Sequence, residues 1–569
     1  MCTRSSRLPR YIAIIGLTAG CFDLEGAPLS LTLDATARAG SQELAFEWQV
    51  FGDDGDLDRF RLDVALDSAP FSPVPEASAI SGERRSFSQT VSLHLANWRG
   101  RTYRLTALDE DGAELAASDP LELDRVLDIR ESVQALDFEN ADSLDLFGTS
   151  VAVSGDGNRL AVGAVFEDGS LDSSDNDAPS SGAVYVYERR EGSWALQSYL
   201  KSDPPSENAW FGRSLAFSFD GSTLAVGADG ETLGDPDPIF QAEGAAYVFR
   251  YEDSRWVQEA RLMSSNPDVG DFFGQSIALS SDGGRLAVGA PFDDDPNGIE
   301  PGTDPGTSVD TGAVSVFRRS DAGEWTAEAY LRATSPDTLD RFGFAVSLSA
   351  NGELLAVGTP GEDSSTALEV GVDNDAQDSG AVFVFRYEES SWRNEAYLKA
   401  SNSEAGDGFG SSVVLAEDGA SLAVGAPFED GDLESSVTSP NDNAEDAGAV
   451  YVFGGSDQRW EQFEYIKAGE VDLRFGARVS FSVDGSVLTA TSIASTDSST
   501  TLQPAIGVAC TFSYRERTAT LTSCLNSPTE NAFDGYGASV SLSADGSVLA
   551  VGASGDDTSA IDAGRVYVY

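Results

Sequence analysis

From residue 147 the chain reads FGTSVAVSGDGNRLAVGA: a short apolar run, a polar Ser-Gly-Asp-Gly break, and a second apolar run. Short runs of Val, Ala and Leu bounded by turn residues predict strands. Asp-Gly between two such runs predicts a tight hairpin, because both residues tolerate positive φ. The pattern recurs. An aromatic residue followed by Gly stands at Phe147, Phe211, Phe273, Phe342, Phe409, Phe475 and Tyr536, at spacings of 61 to 69 residues. Nine residues after each aromatic comes Asp or Asn before Gly: Asp156, Asp220, Asp282, Asn351, Asp418, Asp484 and Asp545. A VGA or VGT run follows in six units, and Thr491 replaces its Gly in the sixth. After a loop of variable length comes GAVYVY or a relative. Twelve or thirteen residues past its Gly stand Trp194, Trp256, Trp325, Trp392 and Trp460.

Each unit therefore predicts four antiparallel strands, and seven phased units predict an all-β, seven-bladed β-propeller. Inner strands rich in Val, Ala and Leu are expected to be buried on both faces, with Trp and Tyr on wider outer strands. The seventh unit ends at Tyr569 after its third strand. A strand in 132–138 has the missing phase, since Leu136 precedes Phe147 by the same 11 residues that separate Leu200 from Phe211. Residues 132–138 are expected to pair with 564–569 and close the ring.

Before the repeats, residues 29–125 alternate as short strands. Leu44, Phe46, Trp48 and Val50 share one face, as do Tyr103, Leu105 and Ala107. A Tyr entering an alternating strand, followed by Asp-Gly, resembles the later strands of a fibronectin type III domain. The domain division expected is 1–20 signal peptide, 21–28 tether, 29–125 small β-sandwich and 126–569 propeller.

The first residues, MCTRSSRLPR and then YIAIIGLTAGC, have a basic start and a short apolar core, the form of a secretory signal. The run is too short for a permanent membrane span. LTAGC (17–21) resembles a bacterial lipobox, with Thr18 where Leu is usual. The resemblance implies lipidation of Cys21 and an exported outer-membrane lipoprotein, at the cell surface or facing the periplasm. Ordinary secretion is the alternative.

Composition narrows the function. Net charge is −58, with 94 acids against 36 basic residues, which excludes nucleic acid and adsorption on anionic lipid. Only Lys201, Lys399 and Lys467 are lysines. The single histidine, His94, lies outside the repeats, and no nucleophile motif is present, so no catalytic residues are expected.

Phe-Gly, then VGAP (288–291 and 424–427), then GAVYVF (448–453) resembles the FG-GAP repeat of integrin α-subunit propellers, and is closer to its bacterial branch. That resemblance implies adhesion or matrix recognition, and calcium between the first and second strands. Here that connection offers one acid per turn, against the about six to eight oxygens calcium takes, so the Asp-Gly segments read as turns. Acid is concentrated instead between the second and third strands, where seven loops hold 33 acids and no Lys or Arg. Runs of DNDA at 175–178 and 373–376 and NDNA at 441–444 alternate Asp and Asn. Asp175, Asp177, Asp373, Asp375, Asp378, Asp442, Glu445 and Asp446 are the calcium candidates; a solvated acidic loop with Asx turns is the alternative. The expected function is a non-catalytic, monomeric binding protein with a protein or glycan partner. A propeller hydrolase or lyase and a purely structural envelope component are the alternatives.

Cys510 stands in phase with Tyr185 and Cys524 with Tyr199. An exported chain meets oxidising conditions, so a Cys510–Cys524 disulfide is expected, with two buried thiols as the alternative.

Overall fold

A computed structural model describes residues 28–37, 43–66, 70–74, 77–90, 101–122, 133–137, 142–170, 176–190, 192–232, 242–294, 309–365, 374–417, 419–431, 443–456, 459–467, 474–482, 485–493, 507–515, 518–529 and 534–569. The chain divides into two compact units, one drawn from residues up to Val126 and one chiefly from Leu127–Tyr569.

The first unit contains two antiparallel sheets. Alternation along Glu43–Phe51 buries Phe46 and Trp48, and alternation along Arg101–Leu108 buries Tyr103, Leu105 and Ala107. Phe46 meets Tyr103 across the two sheets with ring centroids 4.8 Å apart, and Trp48 meets Phe60 at 5.3 Å. Val50 is half-exposed.

The second unit is a seven-bladed β-propeller: among the described residues it holds seven four-stranded antiparallel sheets. Blade 1 runs Phe147–Val153, Arg159–Ala164, Ala183–Arg190 and Ser193–Leu200. The first strands of blades 2 to 6 are Leu215–Phe217, Ser276–Leu279, Ala345–Leu348, Ser412–Leu415 and Arg478–Phe481. Blade 7 takes Tyr536–Leu542, Leu549–Ala553 and Arg565–Val568 from the C-terminus and Gln134–Leu136 from the start of the unit. Gln134 pairs with Val568 and Leu136 with Val566. The expected closure is therefore present; 132 and 138 lie outside the described residues.

Neighbouring blades make the core together. Ala225, Ala246 and Val248 of blade 2 pack with Phe273, Ile277 and Leu286 of blade 3. A lone blade would leave both faces wet. Each Phe of the Phe-Gly pair is buried and meets an aromatic of its third strand edge-on, as in Phe147–Tyr185 at 5.5 Å. Gly212 has φ of 96°, and a Cβ there would lie 2.7 Å from Ala183 O of the preceding blade. Only Gly fits such a backbone crossing.

Two further links join blades. Ser150, Ser214, Ser276, Ser412 and Ser539, three residues after the aromatic, donate at 2.6–2.8 Å to the Gly carbonyl of the next Phe-Gly. On the outer strands, Trp256, Trp325, Trp392 and Trp460 donate Nε1–H to Gln197, Glu259, Glu328 and Glu395 of the blade before, at 3.0–3.1 Å. The acceptor lies three residues after the acceptor blade's own Trp. In blade 1 the closing strand does this work: Gln134 receives Trp194 N–H at 2.9 Å and donates to Trp194 O at 3.0 Å.

Blade 6 breaks the rule on both sides of one contact. Ala519 replaces Trp, and Phe463 of blade 5 replaces the acceptor. There Cys510 pairs directly with Cys524, where blade 1 pairs Tyr185 with Tyr199. The two sulfurs are bonded, with the residues 14 apart in sequence. Closing a loop of that size is worth about 3 kcal/mol in the chain-entropy model. Cys510→Ala with Cys524→Ala is expected to cost about that much. Identical melting of the variant and the parent under oxidising conditions would contradict it.

Candidate functional site

The loops between second and third strands and the connections into the next Phe-Gly share one end of the propeller. There the polar groups follow a repeated plan in blades 1, 3, 4 and 5. Two residues before the Phe stands a buried Asp: Asp145, Asp271, Asp340 or Asp407. Each accepts the backbone N–H three residues earlier, from Asp142, Asp268, Asp337 or Glu404, at 2.7–2.8 Å. The loop itself begins with two acids. The second, Asp168, Asp294, Asp363 or Asp430, accepts a backbone N–H from the loop's far end at 2.6–2.8 Å. The first is buried against a cation.

That cation accounts for the three lysines. Lys201 lies 2.5 Å from Glu167 and Lys399 lies 3.0 Å from Glu362, all four side chains being nearly inaccessible. Lys467 pairs with Glu429 in the same place. In blade 3 a longer base meets a shorter acid, Arg332 with Asp293. In blade 2 Met263 takes the lysine position, and Arg261, two residues earlier, reaches Glu231 at 2.5 Å. Burial pushes the Lys201 and Lys467 ammonium groups down, against the pull of Glu167 and Glu429.

Burial raises the Asp carboxyls, and the neighbouring acids add to it: Asp145 and Asp407 to about 7, Asp340 to about 8, and Asp271 to about 9. A carboxyl whose pKa is raised on folding binds its proton more tightly in the folded chain. Its stabilisation is complete below the ordinary range near 4 and is lost as pH rises through the folded value. The propeller is therefore expected to melt at a higher temperature at pH 5 than at pH 9, and Asp340→Asn should flatten part of that slope. Melting that is constant or rises between pH 5 and 9 would be inconsistent with it.

The sequence-predicted calcium residues divide. Asp175, Asp373 and Asp442 lie outside the described residues, as do Cys21 and His94. Asp177, Asp375 and Glu445 are exposed, and Asp378 and Asp446 are half-buried. Asp378 and Asp446 give their backbone N–H groups to Asp363 and Asp430. The Asn of each DNDA run acts as a donor: Asn176 Nδ2 to Asp142 at 2.9 Å and Asn374 Nδ2 to Asp337 at 3.2 Å. Among the described residues no three His, Cys, Asp or Glu side chains group as a metal would require. The described part of these loops does not assemble a calcium cage.

At the opposite end the described Asp-Gly segments are turns; Asp418 and Asp484 lie outside the described residues. Asp156, Asp220, Asp282 and Asp545 each accept a Ser hydroxyl at 2.6–2.8 Å and a backbone N–H two residues on at 2.8–3.0 Å. Asn351 makes the same two bonds, so no charge is needed there.

A family model described as the FG-GAP repeat matches residues 133–187, 256–317, 325–385, 392–453 and 525–569, together half of the chain. The first and last matches begin on the closing strand and on the last strand of blade 6, so the sequence repeat straddles two blades. No curated protein matches the chain. Among solved structures it is similar to the tricorn protease (12% identity, TM-score 0.39), with 94% of this chain covered and 45% of that one. It thus spans less than half of that protein's length. It is also similar to the WD40 domain of SCAP from fission yeast (10%, TM-score 0.36, 77% and 97% covered). A third likeness is to the Bacillus licheniformis rhamnogalacturonan lyase PL11 (11%, TM-score 0.26, 87% and 74% covered). With seven four-stranded blades and matches over half its length, the chain belongs to the FG-GAP repeat family.

Proposed function

We propose that this protein is a non-catalytic binding protein, exported and anchored through Cys21, that presents its acidic loop face to a protein or glycan partner. The observation carrying this reading is the pairing of 33 loop acids, with no basic residue among them, with a buried framework that repeats from blade to blade. Fixed loop ends keep the ordering cost of binding small. The region 29–125 is read as a fibronectin type III-like module between tether and propeller. Calcium enters the proposal as a bridging ion for loop carboxylates, held by the segments around 175–178, 373–376 and 441–444. A glycan array and a pull-down from matrix or cell-surface fractions, each with calcium and with chelator, test it. The expected result is a ligand whose retention falls when the chelator is added. Hydrolysis or elimination of any glycan on the array would overturn it in favour of an enzyme.

A further inference from the structure

The mouth of the central channel on the acidic face is a cavity of about 280 Å³ walled by the first strands of all seven blades. In a chain with 94 acids, no acidic side chain among the described residues lines it, and two arginines do: Arg213 and Arg478.

Arg478 stands where five other blades have the Ser that donates to the next blade's Gly. Losing that Ser should leave Gly537 O without its donor. Instead Thr491, which replaces the Gly of VGA, donates to Gly537 O at 2.9 Å. In blade 1 a Cβ on the corresponding Gly163 would lie 2.2 Å from Gly212 O and 2.4 Å from Ser150 Oγ, so Thr at this position needs both the loss of the Ser and a neighbouring Gly carbonyl that stands further off. The two replacements together keep the blade-to-blade bond and free position 478 to carry a cation into the channel. Simple decay of a repeat would not restore the bond.

The charges do not balance. Arg213 Nε lies 3.3 Å from the buried Asp229. Arg478 donates to Ala477 O at 2.8 Å and, among the described residues, has no carboxylate partner. The Arg478 side chain is exposed to the solvent of the channel mouth, where the like charge of Arg213 acts on it. Among the described residues one positive charge thus stands without a carboxylate, in a cavity that Leu215, Ile277, Val346 and Val479 also line.

We infer that Arg213 and Arg478 form a site for the carboxylate of a small monocarboxylic acid with a short hydrocarbon body. A single negative charge neutralises the site, the guanidinium forks suit a carboxylate, and the aliphatic wall takes the chain. The surrounding acidic loops repel polyanions. This site is independent of the partner proposed for the loops.

Titration calorimetry of the full chain with sodium hexanoate and with acetate tests it. Hexanoate is expected to bind one per chain and more tightly than acetate. Arg478→Gln and Arg213→Gln should each weaken hexanoate by about tenfold or more, the value of a charge-assisted hydrogen bond. Without ligand, Arg478→Gln should melt no lower than the parent, because it removes a like charge. Hexanoate binding of equal strength in the parent and in either folded variant, or no binding to the parent, overturns the site.

Discussion

A chain beginning at residue 141 is expected to unfold well below one beginning at residue 127. The two differ only by the segment that carries Gln134–Leu136. Leu136 is buried, and loss of a buried Leu costs about 2–5 kcal/mol. The backbone pairing to Val566–Val568 and both Gln134 bonds to Trp194 go with it, at about 1 kcal/mol each. An open edge is left on blade 7, a template for association with other chains. The longer chain should therefore also stay monomeric where the shorter aggregates. Thermal melting and light scattering of the two read this directly; equal melting temperatures would remove ring closure from the account.

Lys399→Met is expected to be the most damaging single substitution on the acidic face. It leaves Glu362 buried without its cation, and breaking a buried pair costs about 3–5 kcal/mol. Blade 2 shows how the same site works with methionine: Met263 sits at the lysine position and Arg261 supplies the charge to Glu231. Tyr397→Arg added to Lys399→Met should recover most of the loss, because position 397 pairs with Phe383 as Arg261 pairs with Tyr247. Denaturant unfolding of the single and double variants checks it. A double variant no more stable than the single one would mean that the buried charge is not what matters.

Much of this was legible in the sequence because a propeller writes its plan seven times. Phe-Gly fixes where backbones cross between blades, Asp-Gly fixes the inner hairpin, and the phase of Leu136 identifies the closing strand. Cys510 and Cys524 fall opposite each other because Tyr185 and Tyr199 do. The side-chain links between blades were harder to read. Trp256 and Gln197 are 59 residues apart, and only their phase relates them. The lysines carry a signal of their own in the sequence: all three occupy one position of the repeat, and the acid that each meets follows VGA or VGT by a constant interval. The Asn residues of the DNDA runs read equally well as oxygen ligands or as amide donors; Asn176 and Asn374 donate to Asp142 and Asp337. The pairing of Arg478 with Thr491 is not legible in the sequence, because only the structure shows Thr491 donating to Gly537 O in place of the lost Ser.

The central claim is that the acidic loop end of the propeller is its binding face. It is tested most directly by comparing two variants against any ligand captured by the parent. One neutralises exposed loop acids, with Asp177→Asn, Asp375→Asn and Glu445→Gln; the other neutralises exposed acids on the opposite hairpins, with Asp253→Asn and Asp321→Asn. The account predicts that the first variant loses affinity for the ligand while the second binds like the parent, with both melting as the parent does. Loss confined to the second variant, or undiminished binding by the first, would contradict it.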